Sequence, residues 1–93
     1  MHFEYSVHAE HKFKERRISK SDVEEVLKGP EDVFLDIETG NLVAVGKSRS
    51  KKGHKLIIVY SPGKRIKVVT VIDTSRMEII ERREERRRWV KIR

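Results

Sequence analysis

The chain has 93 residues, no cysteine, 40% charged residues and a formal net charge of +7. Without thiols there is neither a disulfide framework nor a thiolate metal site, and no apolar run approaches the roughly 18 residues that span a bilayer. This length suits one domain, residues 1–93, and a start lacking a basic, apolar leader leads us to expect a cytoplasmic protein.

The charge is unevenly spread. Residues 1–45 carry 6 Lys+Arg against 10 Asp+Glu, whereas residues 46–93 carry 16 against 5. A basic half concentrates positive potential, and nucleic acid is the commonest partner for it. Gln is absent and Asn41 is the single Asn, while Glu, Lys and Arg abound. High-temperature organisms favour that mix.

Residues 2–5, HFEY, alternate in polarity and suit a short edge strand. Ser6 fits an N-cap, because its hydroxyl can accept from an unpaired helix N–H, and a first helix follows to about Arg17. Ser19 with Asp22 three residues on resembles a capping box. Val23, Val26 and Leu27 then give a helical i, i+3, i+4 stripe, which Gly29 and Pro30 stop. We expect Gly29 to end this second helix in a left-handed conformation.

Strand patterns follow. DVFLDIE leads through TGN, a hairpin signal, into LVAVGK; a basic loop, SRSKKG, leads to HKLIIVY; the turn SPGK leads to RIKVVTVID. The last two runs are apolar on both faces, as in strands covered on both sides. Residues 75–89 are helical in pattern, with Ser75 and Glu78 as another capping-box pair, and WVKIR equally suits a short last strand. The expected class is α+β: two N-terminal helices, a four-stranded antiparallel sheet, then a C-terminal helix or basic tail.

In helical projection, at about 100° per residue, Ala9 and Phe13 define the buried stripe of the first helix. His8, Lys12 and Arg16 form one ridge beside it, and His11 lies roughly 60° away from that ridge. A metal would need a third ligand besides His8 and His11. The local candidate, Glu15, has Lys12 and Lys14 beside it, so we expect no metal and no cofactor. The ridge sets a histidine beside two cations, an arrangement that an anion would relieve. Lys12 and Arg16 covering apolar surface with their stems is the plainer alternative.

The string His8-Ala9, Lys12, Phe13, Arg16, Ile18-Ser19, Val23, Leu27 and Pro30 resembles the opening of the domain-of-unknown-function 4258 family. That family's usual pattern is His-Ala, Arg, an apolar residue, Arg-Gly-Ile-Ser, then Val and Leu before Pro. VVTVI, residues 68–72, resembles its closing strand, with Thr70 at a recurrent threonine. Lys12 replaces an Arg, keeping charge and losing the guanidinium fork; Arg17 replaces a Gly; His11 matches nothing. The resemblance covers about residues 5–73, so residues 1–73 form the family-like core and 74–93 a basic extension. It implies a layout similar to the RelE/ParE-like toxins, many of which are metal-independent ribonucleases acting on messenger RNA. That link is analogy at the level of fold, which does not fix function.

Metal-free RNA cleavage needs a base, an acid and cations around the phosphate. His8 suits the base or acid, because histidine as a residue type exchanges protons near neutral pH, Lys12 and Arg16 suit a phosphate clamp, and His54 is a second proton-transfer candidate. Thr70 joins this catalytic set on the resemblance alone. Lys47, Arg49, Lys51, Lys52 and Lys55 suit contacts to backbone phosphates, which carry no base specificity; a solvated loop tip is the alternative. Tyr60 can stack on a base or belong to the core. The arginines from Arg82 to Arg88 either extend the basic surface or pair with the interleaved glutamates. The partners expected are RNA and, if the toxin analogy holds, an acidic antitoxin-like protein.

Overall fold

The structure is a computed structural model that describes residues 3–93; His2, the first residue of the expected edge strand, lies outside them. Phe3–Tyr5 form strand β1. Helix α1, Val7–Arg16, begins at Ser6, whose hydroxyl accepts from the Ala9 amide at 3.0 Å, as its position before the helix requires. Helix α2, Lys20–Lys28, begins at Ser19, which accepts from the Asp22 amide. Asp22 does not complete a capping box. Its buried carboxylate instead accepts from the amide and hydroxyl of Ser50, 28 residues away.

The left-handed residue falls elsewhere than expected. Gly29 closes α2 with φ −146°, and it is Arg17, at the end of α1, that adopts φ 53° and ψ 47°. The Arg17 and Ile18 amides both turn back to the Phe13 carbonyl, and Ile18 packs into the same buried cluster as Phe13. This is a Schellman-type ending, where glycine is the usual occupant because it has no Cβ to clash.

Strands β2 (Asp32–Asp36), β3 (Leu42–Lys47), β4 (Lys55–Ser61) and β5 (Ile66–Thr74) form the expected antiparallel meander. The sheet, however, has six strands, not four, in the order β1-β5-β4-β3-β2-β6. β1 adds in parallel to β5, and β6 (Trp89–Lys91) adds antiparallel to β2. The C-terminal segment thus supplies both a helix, α3 (Glu78–Glu85), and a strand. Ser75 does not cap α3; Met77 precedes it without a side-chain cap.

Buried residues divide by sheet face. Ala44, Leu56, Ile58, Val68 and Val71 pack with Ala9, Phe13, Val23 and Val26 under α1 and α2. Val43, Val45, Ile57 and Phe34 pack on the other face with Ile80 of α3 and Trp89. Gly46 permits close approach of α2, since a Cβ there would sit 2.9 Å from a Val26 methyl.

Register shifts between Val59 and Tyr60, which face Thr70 and Val68, leaving Val69 as an extra residue on β5. β1 pairs with β5 only as far as Val68. Beyond the bulge, no strand among the described residues pairs with the outer edge of β5, and α1 packs on β5.

The C-terminal segment is tied down by Asp36. Its carboxylate accepts from the Glu38 and Thr39 amides in the β2–β3 turn, from Trp89 Nε1 at 3.3 Å and from Arg88 Nε at 3.4 Å. Burial alone would raise its pKa, but these donors prevail and hold it below the usual carboxylate range.

A residue with a Cβ is strained in the left-handed region, most of all when β-branched. Arg17→Gly should therefore keep or raise stability by up to about 1 kcal/mol, while Arg17→Val lowers it by about 1 kcal/mol. Chemical denaturation of the two variants tests this ordering.

Candidate functional site

The site begins at the end of β5. Asp73 is the one carboxylate in β5, and its side chain is only 4% exposed. One carboxylate oxygen accepts from Lys51 Nζ at 2.6 Å and the other from His54 Nδ1 at 2.7 Å. Both partners come from the loop between β3 and β4 and keep 37% side-chain exposure. Burial would raise the Asp73 pKa, yet the bonds and charges of Lys51 and His54 outweigh it and lower it. Asp73 is therefore ionised at neutral pH, so Nδ1 of His54 must carry a proton.

That loop is ordered by its own bonds. The Ser48 amide donates to the His54 carbonyl, the His54 amide to the Lys51 carbonyl, and the Lys51 amide to Ser48 Oγ. Gly53, at φ +82°, makes the reversal possible. Ser50 is anchored on Asp22, and Lys51 Nζ also donates to the Arg16 carbonyl at 2.8 Å. The loop is thus bound to both helices and to β5.

His54 lines a cavity of about 580 Å³ together with Lys47, Ser48, Arg49, Lys52, Gly53 and Lys55. No buried side-chain nitrogen lacks a partner among the described residues. Nε2 of His54, which bonds to no protein group there, is therefore accessible to solvent. A carboxylate that holds Nδ1–H leaves the neutral ring with a lone pair at Nε2, the form a general base needs.

The structure distributes the expected residues among several places. Of the five loop-region cations, Lys47 and Lys52 have no carboxylate partner among the described residues. Lys55 pairs with Glu31 at 3.0 Å, Arg49 approaches Glu25 at 3.9 Å, and Lys51 is committed to Asp73. Lys12 and Arg16 line a second cleft, of about 210 Å³, with Val71, Ile72, Asp73, Thr74 and Ile79. His8 is exposed, lies about 12 Å along the helix from Arg16 and lines neither cleft. Thr70 pairs with Val59, which places it on the α3 face, the opposite side of the sheet from α1. Tyr60 packs against the core under α1 and α2, where burial raises its pKa. His11 is exposed, and no group of three His, Cys, Asp or Glu that could hold a metal occurs among the described residues.

Asp73 was the residue that sequence patterning overlooked. Its signal was a carboxylate directly after the apolar pair Val71-Ile72, near the end of a strand, which burial tolerates only with charged partners.

Residues 5–81 match the family model described as Domain of unknown function (DUF4258). The chain belongs to this family. No curated protein and no solved structure matches it. In the family-like opening, Lys12 and Arg16 lie on a cleft that Asp73 shares, while Arg17 takes the left-handed turn at the position where the family has glycine.

A depressed carboxylate pKa stabilises the fold above the unfolded value, about 4, and that contribution disappears as pH falls through the folded value. Asp73→Asn should cost about 2 kcal/mol at neutral pH, because Lys51 and His54 lose their buried counter-charge. The gap from the parent chain should narrow below about pH 4. Denaturation midpoints measured across that range check both the size and the sign.

Proposed function

We propose that this family member is a toxin-type RNA-cleaving domain whose reactive group is His54, held by Asp73 at the wall of the basic cavity. The single observation that carries this reading is the bond from Nδ1 to a buried, ionised carboxylate, which leaves Nε2 accessible among cations. The toxin-type label itself rests only on the RelE/ParE-like fold analogy. Phosphates of the RNA backbone would be held by Lys47, Arg49 and Lys52 through charge, without base readout.

In this mechanism Nε2 takes the proton of a ribose 2′-hydroxyl. The 2′-oxygen attacks the adjacent phosphorus and the bond from phosphorus to the 5′-oxygen breaks. Lys47 or Lys52 returns a proton to that oxygen. The products are a 2′,3′-cyclic phosphate and a 5′-hydroxyl, so atoms and charge balance without a co-reactant. Cations around the phosphate stabilise the charge that develops there. His8, Lys12, Arg16 and Thr70 take no part in proton transfer in this scheme; Lys12 and Arg16 contact RNA outside the reacting phosphate.

A non-catalytic RNA-binding module is the second reading. It is favoured by the lining of the cavity, which includes neither a second histidine nor a carboxylate. An acidic protein partner would occupy the same cations and compete with RNA.

Single-stranded RNA incubated with the purified chain should yield cyclic-phosphate ends, with or without a chelator. His54→Ala should slow this by about 100-fold or more, while His8→Ala leaves it unchanged. Intact RNA under all conditions, ribosomes included, would contradict cleavage; binding that weakens steeply with salt would then support the second reading.

A further inference from the structure

Helix α3 sorts its charges by face. Ile79, Arg82, Arg83 and Arg86 stand at i, i+3, i+4 and i+7 and together line a cleft of about 280 Å³. Glu78, Glu81, Glu84 and Glu85 project to the other sides of the helix, about 90° or more from the centre of the arginine stripe. The i+3 and i+4 ion pairs that the sequence allowed do not form: none of these three arginines has a carboxylate within 4 Å among the described residues. Arg83 is further ordered by stacking over Trp89, at 5.6 Å from the ring centroid. Trp89 is itself fixed by Asp36.

This arginine cleft adjoins the one formed by Lys12 and Arg16, because Ile79 lines both. The Lys12–Arg16 cleft in turn includes Asp73, which holds His54 on the wall of the cavity of about 580 Å³. Five cations without carboxylate partners among the described residues therefore line two adjoining clefts from α1 to α3, one of which Asp73 shares. Lys47 and Lys52 line the cavity with His54. The arginines also fall beyond residue 81, where the family match ends.

We propose that Arg82, Arg83 and Arg86 form a second contact surface for single-stranded RNA, which holds the strand flanking the phosphate at His54. This rests on the reading that the cavity binds RNA, and it adds where the rest of the strand runs. Guanidinium groups present paired N–H donors that fit phosphate oxygens. A row of them beside a narrow apolar floor suits a flexible chain with one charge per nucleotide, whose site sizes are about 4–16 nucleotides.

The test uses a fluorescent 2′-O-methyl oligonucleotide of about 12 nucleotides, which cannot be cleaved, so binding is read independently of catalysis. Each phosphate contact to a single strand contributes about 0.7 to the slope of log affinity against log salt. The exposed pair Arg82→Ala/Arg86→Ala should lower that slope by about 1.4 and weaken binding about tenfold at low salt. Adding Arg83→Ala should lower it further, to about 2.1 in all, with circular dichroism confirming that the fold is retained. An unchanged slope in the double variant would overturn the proposal. So would competition by polyglutamate as effective as that of an unlabelled oligonucleotide of equal charge, which would identify an acidic protein as the occupant. Loss of cleavage activity in the parent chain would contradict the catalytic reading and leave this measurement intact.

Discussion

A single carboxylate organises one end of this molecule. Asp73 is desolvated by the sheet and α1, and a lone charge there would be costly. Lys51 and His54 offset that cost, and in doing so they draw the β3–β4 loop down onto β5. Because Lys51 also bonds the Arg16 carbonyl and Ser50 bonds Asp22, the loop becomes a bridge among α1, α2 and the sheet. Lys47 at the end of β3 and Lys52 in the loop have no carboxylate partner among the described residues and line the cavity beside His54. The bond that ties the loop to β5 also occupies Nδ1 of His54 and leaves Nε2 without a protein partner among the described residues.

The same end of the sheet is shaped by an irregularity in β5. The bulge at Val69 lets β1 pair with the first part of the strand and leaves the second part open to α1. Val71 to Thr74, in that second part, line a cleft with Lys12, Arg16 and Ile79. On the far side, Asp36 performs for the C-terminal segment what Asp73 performs for the loop. It gathers the β2–β3 turn, Arg88 and Trp89, and so holds α3 against the sheet. Two buried aspartates, each held below the usual carboxylate range by donors that outweigh burial, therefore fix both cation-bearing segments.

Local signals in the sequence were reliable where the physics is local. Ser6 and Ser19 cap helices because a hydroxyl one turn before a helix has few better partners, and the apolar runs in β4 and β5 become interior strands. Features set by distant partners were not legible. β1 pairs with residues more than 60 positions away, and the acid three residues after Ser19 bonds to Ser50 instead of closing a cap. Alternation alone would put Val68, Thr70 and Ile72 on one face. The bulge breaks that rule, so Val68 packs under the helices while Thr70 and Ile72 face the other way. Arg17 shows the opposite case, a local rule overridden. Glycine suits that turn best, yet the bonds to Phe13 and the burial of Ile18 hold an arginine in the left-handed region. His8, Lys12 and Arg16 all lie on α1, but only Lys12 and Arg16 line a cleft with Asp73.

The proposed chemistry depends most on the orientation of His54. Nitrogen-15 NMR of the imidazole ring reads the tautomer directly. In the neutral ring, the proton should reside on Nδ1 and the lone pair on Nε2, and Asp73→Asn should disturb that preference. A neutral ring protonated on Nε2, or a spectrum indifferent to Asp73, would contradict the central claim.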